Sequence, residues 1–252
     1  MLSLPVACLI IVSVFCTSFI SGILGMAGGM ILMGILVSVV SVQSAMILHA
    51  IAQLFANLSR TVFHWKKIHA GSIAYFVVGI AVIFAAFAAI KFVPSKMLVL
   101  LMMGIAPFMG YVMRNRISFH FTKPSHAFLC GMVITFFQLG AGTAGPWLDI
   151  FFQQLKISRH EIIATKSAAM SISHLSKFVY FGMVVTTLGA HGEEVQPWLW
   201  PVIVVVSFWG THISRKVLDF MTDKQFYKAT QATLLVIGTV YLYKALHLWI
   251  AG

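Results

Sequence analysis

The same interruption occurs twice in this chain. Gly25-Met26-Ala27-Gly28 and Gly142-Thr143-Ala144-Gly145 break apolar runs at a shift of 117 positions, from Gly25 to Gly142, and the shift persists downstream. Asn57-Leu58-Ser59-Arg60 falls on His174-Leu175-Ser176-Lys177, Val62 on Val179 and Phe63 on Tyr180. One offset held over roughly 40 residues marks a duplicated unit. Whatever the first half builds, the second must build again: a helix, a glycine turn, a short helix, then a long helix that carries polar and basic residues.

Composition decides the solvent. Of 252 residues, 60% are hydrophobic and 9% charged, too little polar surface to coat a water-soluble globule. Several apolar runs approach the ~20 residues a spanning helix needs, and the alternation expected of an outer-membrane barrel is absent. The fold class expected is all-α, a polytopic helical membrane protein. Cys8, Cys16 and Cys130 are odd in number, form no CxxC motif and lie in apolar runs, which makes them packing residues rather than a disulfide or metal set. The segment from Met1 to Phe19 is apolar without a basic leader and is expected to be retained. The formal charge of +11 comes from Lys and Arg placed between apolar runs, so these are topology signals and nucleic acid is not an expected partner.

Apolar runs place helices at about 4–21, 30–40, 44–65, 72–90 and 97–113, then 127–139, 146–153, 161–185, 198–213 and 226–250. Pro146 suits the first position of the helix restarting after the second break. The two pieces flanking Gly140 to Gly145 each reach about 15–20 Å, short of a ~30 Å bilayer core, so they fold back as a hairpin or join end to end. The hairpin puts Arg60/Lys66/Lys67, Arg114/Arg116/Lys123, Lys156/Arg159 and Arg215/Lys216/Lys224/Lys228 on one side and Glu193/Glu194 on the other, as positive-inside topology prefers. Lys91 and Lys96 count against it. Trp65, Trp198 and Trp200 suit interfacial belts. Five elements per half is an odd number, which implies two inverted repeats, 1–117 and 118–252, each a glycine-broken hairpin plus three spanning helices within a single membrane domain. Both termini would face outside.

On the long helix of the first half, His49, Gln53, Asn57 and Arg60 are spaced by four, four and three, along one face. Its copy carries Lys166, Ser167, Met170, Ser171, His174 and Lys177. Ionisable residues inside a membrane helix usually face a cavity or a partner, and these are cationic or donor groups. The helix restarting after each glycine break adds free backbone N–H groups and a partial positive charge, which suit an anion. The candidate anion-binding set is therefore Gly28, Gly29, Gln53, Asn57, Arg60, Thr143, Gly145, Lys166, Ser167, Ser171, His174 and Lys177. His49, Asp149 and His174 are candidates for proton coupling, and Glu161 reads as a helix-start residue. Duller readings stand beside these: glycines for helix packing, and Arg60 and Lys177 snorkelling to the interface.

There is no GxSxG elbow, HExxH, phosphate loop or histidine box, so neither an enzyme nor a cofactor is expected. The fourteen Met are dispersed through apolar runs, without the clustering of a metal path.

Taken together these elements resemble the TauE/SafE sulfite exporter family, also called the toluene-sulfonate uptake permease group. Its members carry a G-x-G-G-G element followed by proline in each of two repeats, then an Ala/Thr/Ser-rich helix. The first copy here, Gly25-Met26-Ala27-Gly28-Gly29, has Ala27 where glycine is usual and Met33-Gly34 where proline is expected. The second keeps Gly142, Gly145 and Pro146, and Ile163-Ala164-Thr165-Lys166-Ser167 reads like the family's A-x-x-T-S stretch. The resemblance implies a secondary transporter, multi-pass in a bacterial inner membrane, for sulfite, sulfoacetate, another organosulfonate or a related small anion. Its expected partners are that anion, the lipid bilayer and, as an open alternative, a second copy in a homodimer. Two other readings of the residues remain: a membrane accessory or assembly protein that transports nothing, and a transition-metal permease using His and Met, in which mutation of His49 and His174 would abolish metal uptake.

Overall fold

The computed structural model describes residues 2–63, 65–113, 116, 119–152, 155, 157–187, 195–218 and 222–251, and every regular element among them is helical. The first half holds α1 (Leu4–Leu24), α2 (Ala27–Val39), α3 (Val42–Phe63), a 3-10 turn (Trp65–Lys67), α4 (Ala70–Ala89) and α5 (Lys96–Met113). The second holds α6 (Pro124–Gly140), α7 (Gly145–Phe152) and α8 (Arg159–Val179), which runs through a π turn (Tyr180–Val184) into Val185–Thr187. It ends with α9 (Leu199–Leu218) and α10 (Asp223–Ala251). Five helical segments are long and apolar enough to cross a bilayer: Leu4–Leu24, Ala70–Ala89, Lys96–Met113, Glu161–Thr187 and Lys228–Ile250. This is a multi-pass helical membrane protein. Of the charged loops used to orient it, Arg114, Lys156, Glu193 and Glu194 lie outside the described residues, as do the side chains of Arg159, Arg215, Lys216 and Lys224.

Local signals explain where the helices start. Pro5 and Pro124 sit in the first turns of α1 and α6, where no intrahelical N–H is needed. Ser158 and Glu161 form a reciprocal capping box at the head of α8, the helix-start role expected of Glu161. At both breaks the chain turns through a glycine in the left-handed region, Gly25 at φ 65° and Gly142 at φ 77°, which any side chain would strain. The first break is shorter than the sequence suggests, since α2 begins at Ala27 rather than Met30. The reason is tertiary. α2 folds back on α1, and a Cβ on Gly28 would lie 2.1 Å from the Thr17 carbonyl oxygen, so Gly28 serves close packing of the two backbones. The second hairpin closes likewise, with Phe137 of α6 stacked on Trp147 of α7 at 4.1 Å between ring centroids.

The halves interlock reciprocally. α1 packs on α9 and α4 on α6, a first element against a fourth each time, while α3 packs on α8 and α5 on α10. Directions follow from the contacts. Gln43 meets Phe181, His49 meets Lys177 and Thr61 meets Ser171, so α3 and α8 are antiparallel. Gly104 faces Leu242 while Gly238 faces Phe108, which makes α5 and α10 antiparallel too. In contrast Gly131 meets Phe76 and Phe87 meets Phe136, so α4 and α6 are parallel. Gly210 against Phe15 and Gly22 against Ser214 set α1 and α9 parallel. The π turn in α8 also has a long-range cause: Gln43 Nε2 of α3 donates to the Phe181 carbonyl oxygen and to Thr186 Oγ1, each at 3.1 Å.

Cys130 is buried as expected, but Cys8 and Cys16 are exposed on α1 rather than packed, because they fall outside the buried stripe of Ala7, Ile10, Val14, Thr17 and Ser21. Trp65 and Trp198 are exposed at helix ends, and Trp200 packs against the core.

Gly79 and Gly131 are the sharpest test of this packing, since a Cβ on either would lie 2.1 Å from a carbonyl oxygen of the facing helix. Gly79→Leu and Gly131→Leu are each expected to cost about 3 kcal/mol and to lower the thermal midpoint in detergent. Gly71→Leu, where a Cβ meets nothing within 4 Å, should leave the midpoint near wild type.

Candidate functional site

α3 and α8 are the two helices whose sequences alternate apolar residues with a polar seam, and they pack against each other with those seams facing. Between them and the two breaks lies a cavity of about 170 Å³. All four seam residues of α3 line it, His49, Gln53, Asn57 and Arg60, with Lys166, Ser167 and His174 from α8. Gly29, Thr143 and Gly145 close it from the breaks. Nine of the twelve candidate anion-binding residues thus converge on one space, together with His49. Gly28, Ser171 and Lys177 do not line it. Gly28 is in the α1–α2 contact, and Ser171 Oγ bonds back to the Ser167 carbonyl oxygen at 2.9 Å beside Thr61.

Lys177 is fully buried just behind the cavity. Its Nζ donates to the Gly142 carbonyl oxygen at 2.7 Å and to His49 Nδ1 at 2.7 Å. His49 Nε2 in turn donates to the Gly29 carbonyl oxygen at 2.9 Å. These bonds assign the His49 tautomer: a carbonyl can only accept, so Nε2 carries the proton, and an ammonium can only donate, so Nδ1 is bare. Both His49 nitrogens are therefore engaged. The chain Gly142–Lys177–His49–Gly29 ties the second break to the first turn after the first break. Arg60, the counterpart of Lys177 under the 117-residue shift, instead lines the cavity, and its Nη2 donates to the Ser21 carbonyl oxygen at 3.4 Å.

His174 lies beside His49, ring centroids 5.5 Å apart. Gln138 of α6 donates from Nε2 to His174 Nδ1 at 2.6 Å, which leaves the proton on His174 Nε2. That N–H is buried without a protein partner, and so is Gln53 Nε2. Two buried donors of this kind cost about 1–3 kcal/mol each if nothing satisfies them. Among the described residues, none that lines the cavity is a carboxylate. Asn57 spends its amide on the Gln53 carbonyl oxygen of its own helix, at 2.8 Å.

A second cavity of about 350 Å³ adjoins the first and shares Gly25, Met26 and Lys166 with it. Asp149 lines this larger space and forms an ion pair with Lys166 across the boundary. Sequence reasoning missed Gln138, although a lone amide in the apolar run before a glycine break was the available signal. It also missed the carbonyl oxygens of Gly29 and Gly142 as acceptors, for which side-chain chemistry gives no sign. Among the described residues no three of His, Cys, Asp or Glu converge as a metal set would.

The model for the family described as sulfite exporter TauE/SafE matches residues 10–241. No curated protein and no solved structure is similar to the chain at a significant level. The matched span takes in both breaks, both seams and all ten helices but for the start of α1 and the end of α10, and the chain belongs to the TauE/SafE sulfite exporter family.

Proposed function

We propose that the chain is a secondary transporter that binds a small sulfur oxyanion or organosulfonate, sulfite or sulfoacetate foremost, in the smaller cavity and exposes that cavity alternately to the two sides of the membrane. Family membership implies a membrane transporter of sulfur anions. The observation that carries the finer reading is the pair of buried, unpartnered donors, Gln53 Nε2 and His174 Nε2, in a carboxylate-free cavity that Arg60 and Lys166 also line. A tetrahedral or pyramidal oxyanion offers the acceptors that these groups lack. The volume of about 170 Å³ lies below the ~300 Å³ at which pockets for drug-sized ligands begin, so it suits a small anion or the head of a larger one.

The reciprocal helix pairing, antiparallel for α3/α8 and α5/α10, supports two halves of opposite orientation that rock about the shared cavity. We place the protein in a bacterial inner membrane with both termini outside, on the distribution of Lys and Arg along the chain.

A thermal-shift series with sulfite, sulfoacetate, taurine, sulfate and acetate tests the substrate class, because a ligand that prefers the folded protein raises its midpoint. Sulfite or a sulfonate should raise it and acetate should not; a flat response to the whole series, with the protein copurifying alongside another membrane subunit, would favour the accessory-protein reading. Gln53→Leu should weaken anion affinity about tenfold, the worth of one hydrogen bond to a charged group, while leaving the ligand-free midpoint unchanged or higher. Lys177→Met should do the reverse of that second effect. It strands the Gly142 carbonyl oxygen and His49 Nδ1, and the ligand-free midpoint should fall by an amount corresponding to about 2–4 kcal/mol.

A further inference from the structure

Acidic residues are scarce in this chain, six in 252, and one of them pairs with a lysine of the proposed anion site. A carboxylate there opposes an incoming anion, and its presence calls for a reason. Three features bear on it. Lys166 lines both cavities, whereas Asp149 lines the larger one. The two side chains are about a third exposed, 30% and 31%, so the pair is accessible from the cavities rather than sealed in the core. Asp149 shares the larger cavity with Tyr111 and Gln231, whose hydroxyl and amide are donors of the kind that can receive a released carboxylate.

We propose that Asp149 is an internal stand-in for the transported anion. In the empty protein its carboxylate holds Lys166 at the boundary between the cavities and neutralises it. An anion entering the smaller cavity takes over Lys166, whose flexible four-carbon stem lets the ammonium move between the two partners, and Asp149 turns to the donors of the larger cavity. When the anion leaves, Asp149 recaptures Lys166, so the unloaded carrier returns across the membrane without a bare ammonium in its interior. Like charges do not share one ammonium without repulsion, so cargo and Asp149 compete.

This rests on the anion-carrier reading, and the experiment separates the two. Purified full-length wild type and Asp149→Asn are titrated with sulfite and with benzenesulfonate, then reconstituted and assayed for net transport into anion-free liposomes and for anion exchange between loaded compartments. The stand-in requires Asp149→Asn to bind roughly threefold tighter, the order expected on removing a part-exposed ion pair as competitor. Its net transport should slow, and the ratio of exchange to net transport should rise, since a loaded carrier needs no internal substitute. Unchanged or weaker binding, or equal loss of net transport and exchange, overturns the proposal while leaving the anion site standing. Wild type binding neither probe overturns both. If Asp149→Asn fails to yield monodisperse protein, Asp149→Ser carries the same test.

Discussion

A single ammonium group holds the two helix breaks together. Lys177 Nζ sits between the Gly142 carbonyl oxygen and His49, which passes the connection to the Gly29 carbonyl oxygen. A cation so deep in an apolar protein is stable only when acceptors surround it, and here the acceptors are the Gly142 carbonyl oxygen at the second break and His49 Nδ1. The reverse dependence also holds. The Gly142 carbonyl oxygen, in the turn of the second break, needs a donor, and Lys177 supplies it. With that chain in place, α3 and α8 are locked against both hairpins, and the remaining seam residues are left facing one another across a space instead of packing into it.

Satisfied and unsatisfied polar groups stand side by side at this site. His49 and Lys177 find partners within the protein for both ring nitrogens and for the ammonium, yet Gln53 Nε2 and His174 Nε2, on residues of the cavity lining, do not. A fold selected for stability alone would fill such positions with leucine. Retaining two unsatisfied donors in a lining that also holds Arg60 and Lys166 supports the reading of the space as a place for an anion that comes and goes. The ion pair between Lys166 and Asp149 then becomes the part of the site that must change when cargo arrives.

Much of this was legible in the sequence because it depends on local periodicity. The four-residue spacing of His49, Gln53 and Asn57 predicts one face, and all three line one cavity. Gly25 and Gly142 predict backbone breaks, and both take positive φ. What was not legible depends on long-range contacts. Gly28-Gly29 reads as a helix breaker by propensity, but α1 supports α2 there from across the hairpin. Arg60 and Lys177 coincide under the 117-residue shift, yet one lines the cavity and the other is sealed behind it, a difference set by the helices packed around each. The bond from Gln138 to His174 joins residues on different helices and leaves no trace in spacing. The reciprocal pairing of α1 with α9 and α4 with α6 lies beyond any window of sequence.

The most direct test of the central claim is to locate the anion. Crystals grown with selenite, a heavier analogue of sulfite, and with bromobenzenesulfonate would mark it by anomalous scattering. The account predicts a selenium peak within hydrogen-bond reach of Gln53 Nε2 and His174 Nε2, and a sulfonate head at the same place with its bromine toward the larger cavity. Peaks confined to the protein surface, with the space between α3 and α8 left empty at saturating anion, would contradict it.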